Sequence, residues 1–145
     1  MRSRIIVLAL FSIIYLSGCG NSKPYNYETA VDHGDIVDLH GKITNTKRLE
    51  EFNQNILQNN KDKIRITRIT IEGDPLFFDF HFNGKEIKFR YDNSKDKYGT
   101  SNIRSTACKS LITRKSERGI EYSLNGCYGK NEEIGNNFKF EVINQ

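Results

Sequence analysis

Apolar residues recur along this chain at two spacings, every second residue in most segments and every third or fourth in one. Val37, Leu39 and Ile43 alternate with polar residues around Gly41, which predicts an extended segment over Asp35 to Ile43. Leu49, Phe52 and Ile56 follow helical spacing, with Asn45 or Thr46 available as a cap and Glu50 and Glu51 early, so a helix is expected to run to about Asn59. Its single apolar face needs a surface to cover, and strands follow. Ile64 and Ile66 share one parity whereas Ile69 and Ile71 share the other, and a regular strand with one buried face cannot place all four in a core. A bulge near Thr67 and Arg68 is the expected remedy.

Glu72, Gly73, Asp74 and Pro75 have the composition of a tight turn. Leu76 to Phe82 and Lys85 to Tyr91 then flank Asn83 and Gly84, the dipeptide of a two-residue hairpin. That turn would pair Phe80 with Ile87, Phe78 with Phe89 and Leu76 with Tyr91 on an apolar face. On the opposite face it would pair Asp79 with Lys88 and His81 with Glu86, joining opposite charges. Asp92 to Gly99 reads as a polar loop. Ile103 to Ile112 fits a strand or a helix, because Ile103, Ala107 and Leu111 also recur at helical spacing. A strand is preferred, since Lys109 to Lys115 and Ile120 to Gly126 then form a hairpin about Ser116, Glu117, Arg118 and Gly119. Phe138, Phe140 and Val142 make a last short strand. The expected fold class is α+β, one amphipathic helix packed on an antiparallel, mostly meander-type β-sheet.

The start of the chain departs from both spacings. Arg2 and Arg4 precede a largely apolar stretch from Ile5 to Leu16. At about 1.5 Å per residue this falls short of a ~30 Å hydrocarbon core, as in a cleaved signal peptide over residues 1–18. Leu16, Ser17, Gly18 and Cys19 resemble a bacterial lipobox, which implies cleavage before Cys19 and a diacylglycerol on its thiol. Two acyl chains on Cys19 would anchor the protein stably to the outer face of the bacterial cytoplasmic membrane. Gly20 to about Asp32 is polar, contains Pro24 and shows no periodicity, so residues 19–33 are expected to be a lipidated N-terminus and flexible tether. Residues 34–145 are then a single domain, as a chain of 145 residues allows.

The formal charge of +4 shrinks once Arg2 and Arg4 leave with the signal peptide, since 20 basic side chains then face 18 acidic ones, about +2. No run of five like charges occurs past Lys23, so a solvated mixed surface is expected and no nucleic-acid partner. With Cys19 acylated, Cys108 and Cys127 remain on the oxidising side of the membrane. The predicted hairpin sets them directly opposite, at a separation suited to a disulfide that would stabilise the fold by about 3 kcal/mol; two buried thiols are the alternative.

Several segments resemble a family of lipoproteins from Gram-positive bacteria catalogued as domain of unknown function 4362. The resembling residues are GDIVDLHGKI (Gly34 to Ile43), KIRI (Lys63 to Ile66), EGDP (Glu72 to Pro75), NGKEI (Asn83 to Ile87), DKYG (Asp96 to Gly99) and the cysteines in CKS and NGC. The resemblance implies an extracytoplasmic location and one domain, and brings no activity or site residue with it.

Candidate chemistry is sparse. No P-loop, GxSxG elbow, HExxH, CxxC or dinucleotide-binding glycine run is present. Glu72 and Asp74 form a carboxylate pair that the turn itself explains. Asp92, Ser94 and Asp96 open like a calcium loop, but Lys97 stands where glycine should make the sharp turn and Ile103 replaces the closing glutamate. His33, His40 and His81 are scattered, so neither a metal nor another cofactor is expected. Two functions remain: a non-catalytic, monomeric module binding an envelope protein, peptide or ligand, or a small hydrolase-like enzyme in which His40 or His81 converges on Glu72, Asp74 or Asp96. The residues left unexplained by core, turns and cysteine chemistry cluster in Asp92 to Tyr98, which makes Asp92, Asp96 and Tyr98 the expected binding residues.

Overall fold

The computed structural model describes residues 24–143, so the expected signal peptide and Cys19 lie outside the described residues. In chain order these form α1 (Tyr27–Asp32), β1 (Ile36–Leu39), β2 (Lys42–Thr44), α2 (Thr46–Leu57), β3 (Asp62–Ile69) and β4 (Pro75–Phe82). Then come β5 (Ile87–Asp92), β6 (Ile103–Cys108), β7 (Ser110–Lys115), β8 (Gly119–Asn125), α3 (Glu132–Asn136) and β9 (Lys139–Ile143). This is a mostly β architecture in two sheets, ordered β2-β1-β3-β4-β5-β6 and β7-β8-β9, and it overturns the expectation of one helix on one antiparallel sheet.

Three features account for the difference. The extended segment around Gly41 is two strands, because His40 and Gly41 both take positive φ (53° and 91°) and reverse the chain, with the Asp38 carboxylate accepting the Gly41 N–H at 2.8 Å. From there α2 carries the chain back across the sheet, so β3 lies parallel to β1 rather than antiparallel. Between Cys108 and Ser110 the chain leaves the larger sheet for the smaller one, and the segment with mixed helical and strand spacing is strand on both sides of that break.

The larger sheet is buried on both faces, over unequal lengths. On its inner face Ile64, Ile66, Phe80, Phe82, Ile87 and Phe89 meet Leu49 and Phe52 of α2 and Tyr122, Leu124 and Phe140 of the second sheet. On its outer face Val37 and Ile69 pack under Ala30 of α1, itself fully buried. Ile69 therefore needs no bulge: β3 pairs with β4 without interruption from Asp62 opposite Phe82 to Ile69 opposite Pro75, and Ile71 lies beyond the strand, exposed. Covering that outer face takes residues expected to be tether. Asn26 caps α1 by accepting the Thr29 N–H, and the Tyr27 hydroxyl lies 3.0 Å from Thr44 Oγ1. Six residues are too few for helical periodicity to show in a polar stretch.

The hairpin after β4 keeps its predicted faces and shifts its register by two. Phe82 pairs with Ile87, Phe80 with Phe89 and Phe78 with Tyr91, around a four-residue connection from Asn83 to Glu86. A two-residue turn needs positive φ at Asn83 and Gly84, and only Gly84 has it, at 95°. Asn83 instead turns its side chain inward, Oδ1 accepting the N–H groups of Lys85 and Glu86 at 2.9 and 3.0 Å. A shift of two preserves parity, so the apolar face survives while the charged partners change.

In the second sheet Ser110 pairs with Asn125 and Lys115 with Ile120, and Cys108 and Cys127 are joined in a disulfide. Gly135 of α3 packs against it so closely that an added Cβ would lie 2.5 Å from the Cys127 sulfur.

Candidate binding face

Helix α1 covers only the end of the outer sheet face where Val37 and Ile69 lie. The rest is open and carries two cross-strand rows: Arg65, Asp79 and Arg90 in one, Lys63, His81 and Lys88 in the next. The first row is internally paired. Arg65 grips Asp79 through Nε at 2.5 Å and Nη2 at 3.1 Å, while Arg90 reaches Asp79 at 3.1 Å and Asp92 at 2.7 Å. The second row is not. Lys63, His81 and Lys88 are exposed, and their side chains have no hydrogen-bonding or ionic partner among the described residues. Lys63 and Lys88 flank His81 across three strands and so present two unpaired ammonium groups on one face.

A groove of about 520 Å³ runs between α1 and this open half, bordered by Tyr25, His33, Arg48, Lys63, Asp79 and His81. Its buried end is held by Asp35, whose carboxylate accepts the Tyr25 hydroxyl at 2.7 Å and the Thr67 hydroxyl at 2.5 Å. The Tyr25 ring stands edge-on to Phe77 with centroids 4.9 Å apart, and the Arg65 guanidinium lies 4.7 Å over the same Phe77 ring. Burial, reinforced by the Asp35 hydrogen bond and charge, pushes the Tyr25 hydroxyl up to about 12. It therefore stays protonated and acts as a donor, with His33 Nδ1 at 3.3 Å on its outer side. The Arg65 guanidinium is held charged by its hydrogen bonds to Asp79. Arg48 is pinned as well, to Asp62 at 2.5 Å and to the Lys63 carbonyl at 2.9 Å. Burial pushes the Asp62 carboxyl up, but Arg48, the Asn55 amide and the Lys63 N–H outweigh it and hold the group below the usual carboxylate range.

The loop expected to bind uses its carboxylates on itself. Asp92, buried at the end of β5, accepts the Ser94 N–H at 2.8 Å, and Asp96 accepts the N–H groups of Tyr98 and Gly99 at 3.0 Å. Burial raises Asp92, yet Ser94 and Arg90 bring it below the ordinary range. Asp74 ties the preceding turn to the loop, accepting the Lys97 N–H at 3.0 Å with Lys97 Nζ at 3.3 Å. Tyr98, 79% exposed, is the aromatic left facing outward. The hydrolase-like arrangement is not assembled: His40 Nε2 lies 3.2 Å from the Thr70 carbonyl, and His81 sits in the basic row. Neither meets the carboxylate of Glu72, Asp74 or Asp96 among the described residues, where no cluster of His, Cys, Asp or Glu suited to a metal occurs either. The basic row was hidden from sequence reasoning by register, since the two-residue turn sets Glu86 opposite His81. In the structure Glu86 instead accepts the Tyr128 hydroxyl.

Residues 33–123 match the model of a family described as Domain of unknown function (DUF4362). No curated protein and no solved structure matches the chain.

Proposed function

We propose, from the premise that this chain belongs to the DUF4362 family, that it is a membrane-anchored extracytoplasmic lipoprotein whose domain is a non-catalytic module binding an anionic partner. Cys19, following Leu16, Ser17 and Gly18, carries the lipid, and the Cys108–Cys127 disulfide suits an oxidising compartment. The observation that carries the binding role is the row Lys63, His81 and Lys88, unpaired on a rigid sheet beside a groove whose other charges are already engaged. A catalytic role finds less support, because Tyr25 holds its proton and the groove offers no histidine–carboxylate pair.

Two experiments test this reading. Metabolic acyl labelling and membrane fractionation of the full chain should show a lipid lost on Cys19→Ser; a variant still labelled refutes the anchor. Capture of envelope components on the lipidated protein should fail for Lys63→Glu/Lys88→Glu and persist for Tyr98→Ala. Undiminished capture by the double variant refutes the binding face.

A further inference from the structure

The uncovered half of the outer sheet face is bounded at one end by α1 and at the other by the β4–β5 connection, and charge accumulates towards the second. Beyond the row of Lys63, His81 and Lys88 lie Lys61 and Lys85, both exposed, with Lys61 packed beside Gly84 in that connection. Of the acidic groups nearby, Asp62 is paired with Arg48 and Asn55, while Glu86 accepts the Tyr128 hydroxyl, a donor that carries no opposing charge. The surface therefore carries four lysines against one carboxylate, Glu86, that has no cationic partner among the described residues.

Chain length limits how far this face can lie from a lipid on Cys19. Tyr25 borders the groove and is six residues from Cys19, a distance that a fully extended chain spans in about 20 Å. A lipid on Cys19 thus keeps the groove end of the face within reach of the bilayer surface, and once the face touches it the lysines come within the Debye length of about 8 Å over which anionic headgroups attract them.

We infer that the row Lys63, His81 and Lys88, with Lys61 and Lys85, docks the domain face-down on the anionic lipid headgroups of the membrane that holds its own anchor. This rests on the proposed lipidation of Cys19 and names the anionic partner of the same face. Docking turns a protein held by one residue into one held in a fixed orientation, with the second sheet and the loop bearing Tyr98 left for other contacts.

The test is amine acetylation footprinting of the mature lipidated protein on vesicles, read by mass spectrometry, with Lys115 on the second sheet as internal reference. Each basic residue near an anionic surface is worth about five-fold in the docked-to-free ratio. Acetylation of Lys63 and Lys88 relative to Lys115 should accordingly fall at least about five-fold on phosphatidylglycerol–phosphatidylcholine vesicles compared with phosphatidylcholine alone. Lys63→Gln/Lys88→Gln, on exposed positions, should still float with both vesicles but lose the protection of Lys61 and Lys85. Equal ratios on the two lipids, or undiminished protection in the double variant, overturn the docking. Protection by inorganic phosphate alone, without vesicles, assigns the face to a soluble anion and also overturns it. Flotation separates the premise: protein that floats with unprotected lysines is anchored but not docked, whereas protein that does not float has lost the anchor and the proposal with it.

Discussion

Replacing Val37 by Ala tests whether residues once expected to be tether form part of the fold. Val37 is fully buried on the outer face of the larger sheet, under Ala30 and beside Ile69, with Tyr25, Tyr27 and Leu39 around them. The change removes two carbon groups worth about 0.8 kcal/mol each in transfer, or about 1.6 kcal/mol. An uncollapsed cavity of about 50 Å³, at about 24 cal/mol per Å³, adds about 1 kcal/mol. The expected loss is therefore about 2 to 3 kcal/mol, a fall of about 1 to 1.5 M in the urea midpoint for a slope near 2 kcal/mol per M. Were α1 not docked, Val37 would face solvent and only strand propensity would be lost, at most about 1 kcal/mol. Hydrogen exchange gives an independent readout, because the Asp35 N–H donates to the Ala30 carbonyl at 3.0 Å and should exchange faster in the variant. A loss below about 1 kcal/mol with unchanged slope, together with a rapidly exchanging Asp35 amide in the wild type, would refute the packing of α1.

Other outcomes follow from the same geometry. Serine at both Cys108 and Cys127 should cost about 3 kcal/mol in denaturant melts, as expected for a disulfide closing a separation of 19 residues, and two alkylatable thiols in the unreduced, unfolded wild type would rule the disulfide out. Asp62 and Asp92 have folded pKa values below the unfolded ~3.9, so their contribution is complete above that value and is lost as the pH falls through it towards the folded values. The urea midpoint should hold from neutrality to about pH 5, then drop below about pH 4, with a shallower drop in Asp62→Asn/Asp92→Asn. Tyr98→Ala should change stability by less than about 0.5 kcal/mol, because the ring is exposed; a larger loss would place Tyr98 in the packing.

What was legible in the sequence depended on the range of the physics involved. The apolar face of β4 and β5 could be read because parity is local, and α2 because twelve residues suffice for helical spacing. Register was harder. Whether Asn83 supplies a positive φ or an inward side chain decides it, and both options use the same Asn–Gly dipeptide. The split assignment of Ile64 and Ile66 against Ile69 was correctly seen as a conflict for a strand with one buried face. It resolves without a bulge because α1 buries the second face, which no property of β3 alone announces. The parallel pairing of β1 with β3 and the change of sheet at Lys109 are likewise long-range outcomes. Asp92 and Asp96 carried a signal of loop formation, as their bonds to loop N–H groups show. The basic row needed the register of three strands at once.

That register is the most direct point of attack, because it alone sets His81 opposite Lys88 and so creates the unpaired row. Proton NMR of the folded protein measures it through cross-strand Hα–Hα contacts in β4 and β5. Strong contacts are expected for Phe82 with Ile87, Phe80 with Phe89 and Phe78 with Tyr91. Strong contacts for His81 with Glu86 and Asp79 with Lys88, the close pairs of a hairpin turning on Asn83 and Gly84, would contradict this register, since they would return Glu86 to its place opposite His81 and dissolve the proposed binding face.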